Sequence, residues 1–205
     1  MVKSKDHSAE QKILEAARQV FFDKGMHGAR MQDIADRAGI NKAMLHYYFR
    51  SKDKLFETIF VDATNHLFPV LSSILESDKP IFEKIEELCN EYINQVAKVP
   101  YLPVFILSEA SRQQEVFLKK LWKRQKLPLK AFTNMIETAI KQKKIKPVHP
   151  LQLLVNILSL CIFPFAAQPI LQHAAGISKK DYEAMIEERK KTVPQLIIQS
   201  IKSKQ

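Results

Sequence analysis

Residues that interrupt helices are scarce in this chain of 205 residues, which contains four glycines and ten prolines. Nowhere does a useful length of sequence alternate between apolar and polar residues, as a half-buried strand does. Residues with high helix propensity fill most of the remaining sequence. These features argue against a sheet-based fold and predict an all-α protein.

Cysteine and motifs of metal binding are scarce as well. Two cysteines, Cys89 and Cys161, are too few for a disulfide framework. Neither they nor the six histidines have the paired spacing of a metal site. Because both cysteines lie in apolar helical surroundings, we expect reduced core residues of a cytoplasmic protein. No metal and no cofactor is expected.

The sequence also lacks motifs of catalysis and of export. It has no glycine-rich phosphate loop, no Gly-x-Ser-x-Gly motif and no apolar segment near its polar N-terminus. Residues 151–171 are strongly apolar over 21 positions, which raises the alternative of a membrane span. Polar residues at positions 152, 156 and 159 and prolines at 164 and 169 favour instead a buried helix that also serves a subunit interface.

Positive charge is the main excess in the composition. The formal net charge of +10 suggests a polyanionic partner, although charge alone does not identify nucleic acid. Between Arg112 and Lys146, eleven lysines or arginines stand against two glutamates. This run is either a solvated helix face and loop or an electrostatic entry for an anionic effector, such as a fatty acid or acyl thioester.

Residues 31–49 have the most informative pattern in the chain. Two helical segments, 31–38 and 42–49, flank a three-residue turn that opens with Gly39. Glycine can adopt the positive φ that ends a helix, and Asn41 can accept a hydrogen bond from the next helix. A helix, a tight turn and a second helix form a helix-turn-helix, whose second helix enters the DNA major groove.

The outward face of the second segment indicates DNA contact. With Leu45 and Phe49 directed inward, a rotation of about 100° per residue places Ala43 and Tyr47 opposite the core. Met44, His46 and Tyr48 lie on the flanks. Tyrosine and histidine can donate to phosphate oxygens, and apolar groups can meet thymine methyls. The alternative is that these aromatic residues pack under a neighbouring element.

The region from about Ser8 to Phe56 resembles the DNA-binding domain of the tetracycline-repressor (TetR) family of bacterial regulators. The matching segments are residues 13–17 (ILEAA), 21–25 (FFDKG), 33–35 (DIA), 38–40 (AGI), 42–49 (KAMLHYYF) and 51–55 (SKDKL). At Arg30 the family usually has Thr or Ser, which caps a helix and contacts phosphate. Arginine cannot accept such a bond, so its contact would come from the guanidinium.

The resemblance implies a homodimeric, ligand-responsive repressor. It implies a three-helix DNA-binding domain at residues 1–52 and a helical ligand-binding and dimerisation domain at 53–205, with about nine helices in all. Two recognition helices would enter successive major grooves of a palindrome, about 34 Å apart. A small molecule would release the protein from DNA by moving the helix that starts at Ser51. The residues expected to contact DNA are Arg30, Gln32, Asn41, Lys42, Ala43, Met44, His46, Tyr47, Tyr48 and Lys54.

The remaining sequence predicts further helices, which begin or end near capping residues and prolines. Their expected spans are 8–25, 51 to about 66 or beyond with Pro69 bending or ending it, 80–98, 104–110, 114–143, 151–171 and 178–202. Seven large side chains suit an elongated apolar cavity for an apolar or amphipathic anionic effector: Phe60, Phe68, Tyr92, Tyr101, Phe105, Met135 and Phe163. In the family the last two helices form a four-helix dimer interface, expected here at Leu154, Leu158, Ile162, Val193, Ile197 and Ile201.

Two alternatives remain at this stage. One is a helical enzyme or lipid carrier whose basic region binds an acyl substrate, but no recognisable set of catalytic residues supports an enzyme. The other keeps DNA binding and makes the protein an activator or a ligand-independent regulator. The residues do not distinguish repression from activation.

Overall fold

The computed structural model describes residues 3–112 and 128–203, and this part of the chain is helical without strands. It contains nine α-helices and one short π-helical turn, which confirms the predicted fold class. The α-helices are α1 (Lys3–Gly28), α2 (Met31–Ala38), α3 (Lys42–Tyr48), α4 (Lys52–Glu76), α5 (Ile81–Lys98), α6 (Tyr101–Arg112), α7 (Leu129–Lys141), α8 (Pro150–Ala166) and α9 (Lys179–Ile201), and the π-helical turn is Ile170–Ala174.

The described residues cluster into two compact units. Those within 1–64 and 99–125 form the first unit, and those within 65–98 and 126–205 form the second. The division between residues 64 and 65 falls inside α4. The functional boundary predicted between residues 52 and 53 stays a prediction.

One apolar core holds the helices of the first unit together. The apolar residues of α1 are buried along one side of the helix, and they are Ile13, Ala16, Ala17, Val20 and Phe21. The ring of Phe21 meets Phe56 of α4 edge to face, with centroids 5.7 Å apart. Ile34 of α2 and Leu45 of α3 are fully buried in the same cluster. Because α2 and α3 are too short to be stable alone, this shared burial maintains them.

Helix α1 starts earlier than the sequence predicts and is interrupted where predicted. It begins at Lys3 rather than near Ser8, because residues 3–7 contain no glycine or proline to stop helical extension. Gly25 has φ 64°, a left-handed conformation that breaks the regular helix. The Gly25 carbonyl accepts a hydrogen bond from the Ala29 N–H at 3.1 Å, so the chain turns directly towards α2.

Ion pairs connect α1 to α2. Arg37 Nη1 lies 2.6 Å from Asp23 Oδ2, and Lys24 Nζ lies 3.0 Å from Asp33 Oδ2. Hydrogen bonds from Lys24 and from the backbone of Arg30 lower the pKa of Asp33. The carboxylate of Asp33 is therefore ionised at neutral pH and holds the beginning of α2 against the end of α1.

In the second unit, α5 contacts α8 and α9. Ile85, Cys89 and Ile93 are buried along α5, as are Val193 and Ile197 along α9. Cys89 and Cys161 are free and buried, as predicted for core residues. A hydrogen bond with the Cys161 thiol, together with burial, raises the pKa of Cys89. A protonated, buried thiol is a poor nucleophile, so this pair acts as packing.

Three helices continue through prolines. The sequence predicts that Pro69 bends or ends α4, but the helix extends to Glu76, and α8 and α9 pass through Pro164 and Pro194. Each proline removes one backbone hydrogen bond, a loss that the burial of Pro164 and Pro194 offsets. The Pro164 carbonyl also accepts a bond from the Tyr182 hydroxyl at 3.2 Å. None of the described helices combines the length and apolar character needed to cross a membrane.

The glycine at the turn gives a stability prediction. Gly39 has φ 67°, so Gly39→Ala should lower the free energy of unfolding by about 1–2 kcal/mol. Asparagine tolerates this conformation better, so Gly39→Asn should retain most of the stability. Urea denaturation monitored by circular dichroism measures both variants. Equal stability of the alanine variant and the natural protein would contradict the turn geometry.

Candidate nucleic-acid interface

Helices α2 and α3 are joined by a turn with a cap on each side. Gly39 ends α2 in the left-handed region, and the Ile40 N–H donates to the Ala35 carbonyl at 3.0 Å. Asn41 then starts α3, because its Oδ1 accepts the Met44 N–H at 2.7 Å. The predicted bounds of α2, the start of α3 and both predicted capping roles are confirmed, whereas α3 ends at Tyr48, one residue earlier than predicted.

The buried side of α3 fixes the side that faces solvent. Leu45 and Phe49 are buried in the core of the first unit. Tyr47, on the opposite side, is 81% exposed, and Met44 is 37% exposed. Lys42, Ala43 and His46 are also exposed, as the helical periodicity predicts. Because the exposed residues share one side of a helix that follows a helix-turn-helix turn, this face is the candidate interface.

Tyr48 differs from its neighbour. It is half-buried and packs against the core of the first unit. The Tyr47 ring meets the Tyr48 ring edge to face, with centroids 5.5 Å apart. Tyr48 therefore supports Tyr47 from behind, and this contact limits the orientations of the exposed ring.

Two polar residues near the turn use their side chains locally. Gln32 Nε2 donates to Asp36 Oδ1 at 2.7 Å along α2. His46 Nδ1 lies 3.3 Å from the Arg50 carbonyl, beyond the end of α3. The Asn41 oxygen is likewise engaged in the cap of α3. Gln32, Asn41 and His46, all predicted to contact DNA, therefore use part of their hydrogen-bonding capacity within the motif.

Arg30 precedes α2 in an extended conformation, with φ −113° and ψ 148°. The Asp33 carboxylate accepts the Arg30 backbone N–H at 3.1 Å, which is the reciprocal bond of a capping box. The guanidinium is exposed and forms no ion pair within the described residues. This agrees with the expectation that arginine does not cap through its side chain here.

The start of α4 lies directly after α3. Ser51 Oγ accepts the Lys54 N–H at 3.1 Å, which confirms the predicted cap. The Lys54 ammonium lies 2.9 Å from Glu57, so a phosphate would compete with this carboxylate. Lys52 Nζ donates to the Ala29 carbonyl at 3.0 Å, a contact that the sequence analysis missed. That bond fastens the start of α4 to the connection between α1 and α2.

The residues predicted to line an effector cavity are divided between the two units, and their role stays a prediction. Phe60 is buried and Tyr101 partly buried in the core of the first unit. Phe68 and Tyr92 lie in the second unit, and burial raises the pKa of the Tyr92 hydroxyl. Phe163 is 64% exposed on α8. The side chain of Phe105 lies outside the described residues.

Two open grooves mark the surface of the second unit. One, of about 480 Å³, is lined by Met135 of α7 together with Leu75, Lys84 and Lys144. The other, of about 750 Å³, lies between the first turns of α7 and α8 and includes Lys130 and His149. Of the seven predicted cavity residues, Met135 alone lines either groove. Much of the predicted basic run, residues 113–127, lies outside the described residues.

The predicted subunit interface needs a correction on α9. Val193, Ile197 and Ile201 are buried inside the single chain, because α9 packs against α5 and α8. A partner subunit cannot reach them. Leu154, Leu158 and Ile162 of α8 are half-buried. The apolar side chains that α8 and α9 expose are instead Leu151, Val155, Phe163 and Leu196.

Residues 13–59 match the family model described as bacterial regulatory proteins of the tetR family. The repressor KstR2 of Mycolicibacterium smegmatis is 32% identical over 85 residues, an alignment that spans 42% of each chain. The regulator RutR of Escherichia coli is 24% identical over 201 residues, covering 98% of this chain and 94% of RutR. The activator FasR of M. smegmatis is 50% identical over 44 residues, or 22% of this chain and 20% of FasR.

Solved structures share the fold along nearly the whole chain. The ketosteroid regulator KstR2 of Mycobacterium tuberculosis has a TM-score of 0.72 at 16% identity, covering 95% of both chains. FadR of Bacillus subtilis in complex with stearoyl-CoA has a TM-score of 0.66 at 18% identity, covering 92% of this chain and 97% of FadR. With the helix-turn-helix geometry, these findings show that residues 13–59 are a DNA-binding domain of the tetR family and that the chain has the fold of TetR-family transcriptional regulators.

Proposed function

We propose that the chain is a repressor that binds a palindromic operator as a homodimer and is released by a small-molecule effector. The observation that carries this proposal is the exposed face of α3, where Tyr47 projects from a helix whose other side is buried. Caps at Gly39 and Asn41 present this face rigidly. We assign residues 1–52 to DNA binding, residues 53–205 to effector binding and dimerisation, and the chain to the cytoplasm.

On DNA, α3 lies in the major groove, with Lys42, Ala43, Met44 and Tyr47 towards base edges and phosphates. Arg30 and Lys54, at the starts of α2 and α4, contact the phosphate backbone and position α3. Lys54 exchanges Glu57 for a phosphate in this arrangement. The remaining predicted contact residues hold the helix-turn-helix in shape and contact phosphates of the DNA. They are Gln32, Asn41, His46 and Tyr48.

The dimer forms through the faces that α8 and α9 leave exposed. Val155 and Leu196 are 54% and 55% exposed, and they lie with Leu151 and Phe163 on the outside of the second unit. Exposed apolar side chains of this size mark interaction surfaces. A two-fold axis through these helices would cover them in both subunits at once and bring two copies of α3 to successive grooves, about 34 Å apart.

The effector site lies in the second unit. The groove that contains Met135 combines apolar Leu75 with the ammonium groups of Lys84 and Lys144. This chemistry suits an apolar or amphipathic anionic ligand. FadR shares the fold, and its solved structure is a complex with stearoyl-CoA. KstR2, which also shares the fold, is described as a ketosteroid regulator. A coupling free energy of about 1–3 kcal/mol between this site and α3 changes operator affinity by about 5–150-fold.

A second candidate function is transcriptional activation through the same α3 contacts. It is favoured by the match to the activator FasR, which is confined to 44 residues. The match to the repressor KstR2 is longer, at 85 residues, and supports repression. We propose no enzymatic role for the chain. A promoter-fusion assay with and without the regulator distinguishes the two: repression requires higher reporter output in its absence.

Replacing Tyr47 tests the DNA interface. Tyr47→Ala should weaken operator binding about tenfold or more, because it removes a side chain of the recognition helix. The melting temperature should change little, since the residue is 81% exposed. An electrophoretic mobility shift assay on an operator selected from random DNA measures the loss. Leu107→Ala, at an exposed leucine of α6, is the control. Unchanged affinity of the Tyr47 variant would remove the α3 assignment.

Charged substitutions at adjacent positions of α9 test the dimer. Leu196→Glu should yield folded monomers, because it places a carboxylate on the proposed interface, whereas Ile197→Glu should unfold the subunit. Sedimentation equilibrium at micromolar concentration and circular dichroism separate these outcomes. Leu107→Glu, at an exposed site on α6, should remain dimeric. A monomeric natural protein, or an intact Leu196→Glu dimer, would refute this interface.

Thermal unfolding tests the effector class. A ligand at a hundred times its Kd adds about 2.7 kcal/mol to the folded state. We expect this effect from fatty acids, acyl thioesters or bile acids, and none from cationic dyes. Met135→Trp should remove the effect, because the larger side chain fills the groove. The melting temperature of this variant without ligand is first compared with that of the natural protein. Stabilisation by cations alone would refute the anionic class, and full stabilisation of the tryptophan variant would refute the groove.

A further inference from the structure

The first turn of α3 presents small and apolar side chains to solvent. Ala43 and Met44 follow Lys42, and all three are exposed. In helix-turn-helix proteins the N-terminal residues of the recognition helix contact base edges. These positions therefore decide which bases the protein distinguishes, and their chemistry limits the kind of contact.

Side chains that hydrogen-bond to bases are few on α3: Lys42, in its first turn, can donate to guanine, and the other usual residue types are missing or engaged elsewhere. The sequence of α3, KAMLHYY, contains no Arg, Asn, Gln, Asp or Glu. Asparagine or glutamine reads adenine only when its oxygen and its nitrogen both reach the base. The Asn41 oxygen accepts the Met44 N–H at 2.7 Å, and the Gln32 nitrogen donates to Asp36 at 2.7 Å. Asn41 cannot form that bidentate contact while it caps α3, and Gln32 could form it only after releasing Asp36.

The polar side chains further along α3 are placed differently. Tyr47 lies one turn beyond Ala43, about 6 Å along the helix axis. His46 lies on the flank, with its Nδ1 3.3 Å from the Arg50 carbonyl. Tyr47 shares the face of Ala43, and because side chains on a helix lean towards its N-terminus, its ring lies beside that turn. Ala43 and Met44 themselves have only C–H groups and a thioether to offer, so their own contact with bases is apolar.

We propose that Ala43 and Met44 read the 5-methyl groups of thymines, so that each operator half-site carries thymine opposite the first turn of α3. The thymine methyl is the apolar group that the major groove presents, and alanine and other apolar side chains contact it. This inference rests on the proposed function, in which α3 enters that groove. It adds to that function the base, thymine, that the first turn of α3 recognises.

The experiment removes the methyl group without changing base pairing. An operator is first selected from random DNA with the full-length natural protein, and each thymine is then replaced singly by deoxyuridine. At one or two thymines per half-site, affinity should fall about fourfold, the equivalent of about 0.8 kcal/mol for one buried carbon group. Symmetric replacement in both half-sites should reduce affinity about fifteenfold. Deoxyuridine at other positions should have no effect.

Variants of Met44 identify the reader. Met44→Ala should lose the deoxyuridine effect at one thymine and lose less affinity for unrelated DNA than for the operator, because the methionine side chain has no N–H or O–H to donate to a phosphate. Met44→Leu retains an apolar side chain of similar volume and should retain the effect. Equal loss on operator and unrelated DNA in Met44→Ala would overturn the assignment to base reading.

The outcomes separate this inference from the proposed function. Sequence-selective binding without any deoxyuridine effect, or a selected half-site without thymine, overturns thymine reading and leaves DNA binding intact. Failure to select any sequence overturns the proposed function itself. Because the deoxyuridine measurements use the natural protein, the test does not depend on the folding of a variant.

Discussion

The burial of Leu45 and Phe49 is the constraint on which the interface depends. Both side chains lie in the core of the first unit, so a helix of only seven residues has one orientation about its axis. Tyr47, Ala43 and Met44 are exposed as a consequence. Short helices gain little stability from backbone hydrogen bonds alone, and tertiary packing therefore maintains and aims α3 at the same time.

Local hydrogen bonds complete what burial begins. The caps at Gly39 and Asn41 end one helix and start the next within three residues, and Ser51 repeats this at α4. The carboxylate of Asp33 accepts the Arg30 N–H and so holds the start of α2. These contacts occupy polar groups that would otherwise be free to face DNA, so the rigidity of the motif and the chemistry of its exposed surface are linked.

The second unit follows a different principle. Its helices bury one side of α9 against α5 and α8 and leave Leu196 on the other side exposed. Two neighbouring residues, Leu196 and Ile197, thus have opposite environments. Most apolar side chains of α9 pack in the core of the subunit, and the exposed Leu196 is available for contact with a second copy of the chain.

The sequence by itself determined the all-helical class, the boundaries of α2, the start of α3, and the outward face of α3. Each depends on periodicity or on caps within about four residues, so the information is local. Only the tertiary structure decided that Val193, Ile197 and Ile201 are buried, that Phe163 is exposed, and that Lys52 binds the Ala29 carbonyl. A helical stripe shows that a face is apolar, but which neighbour covers it depends on contacts between residues far apart in the chain.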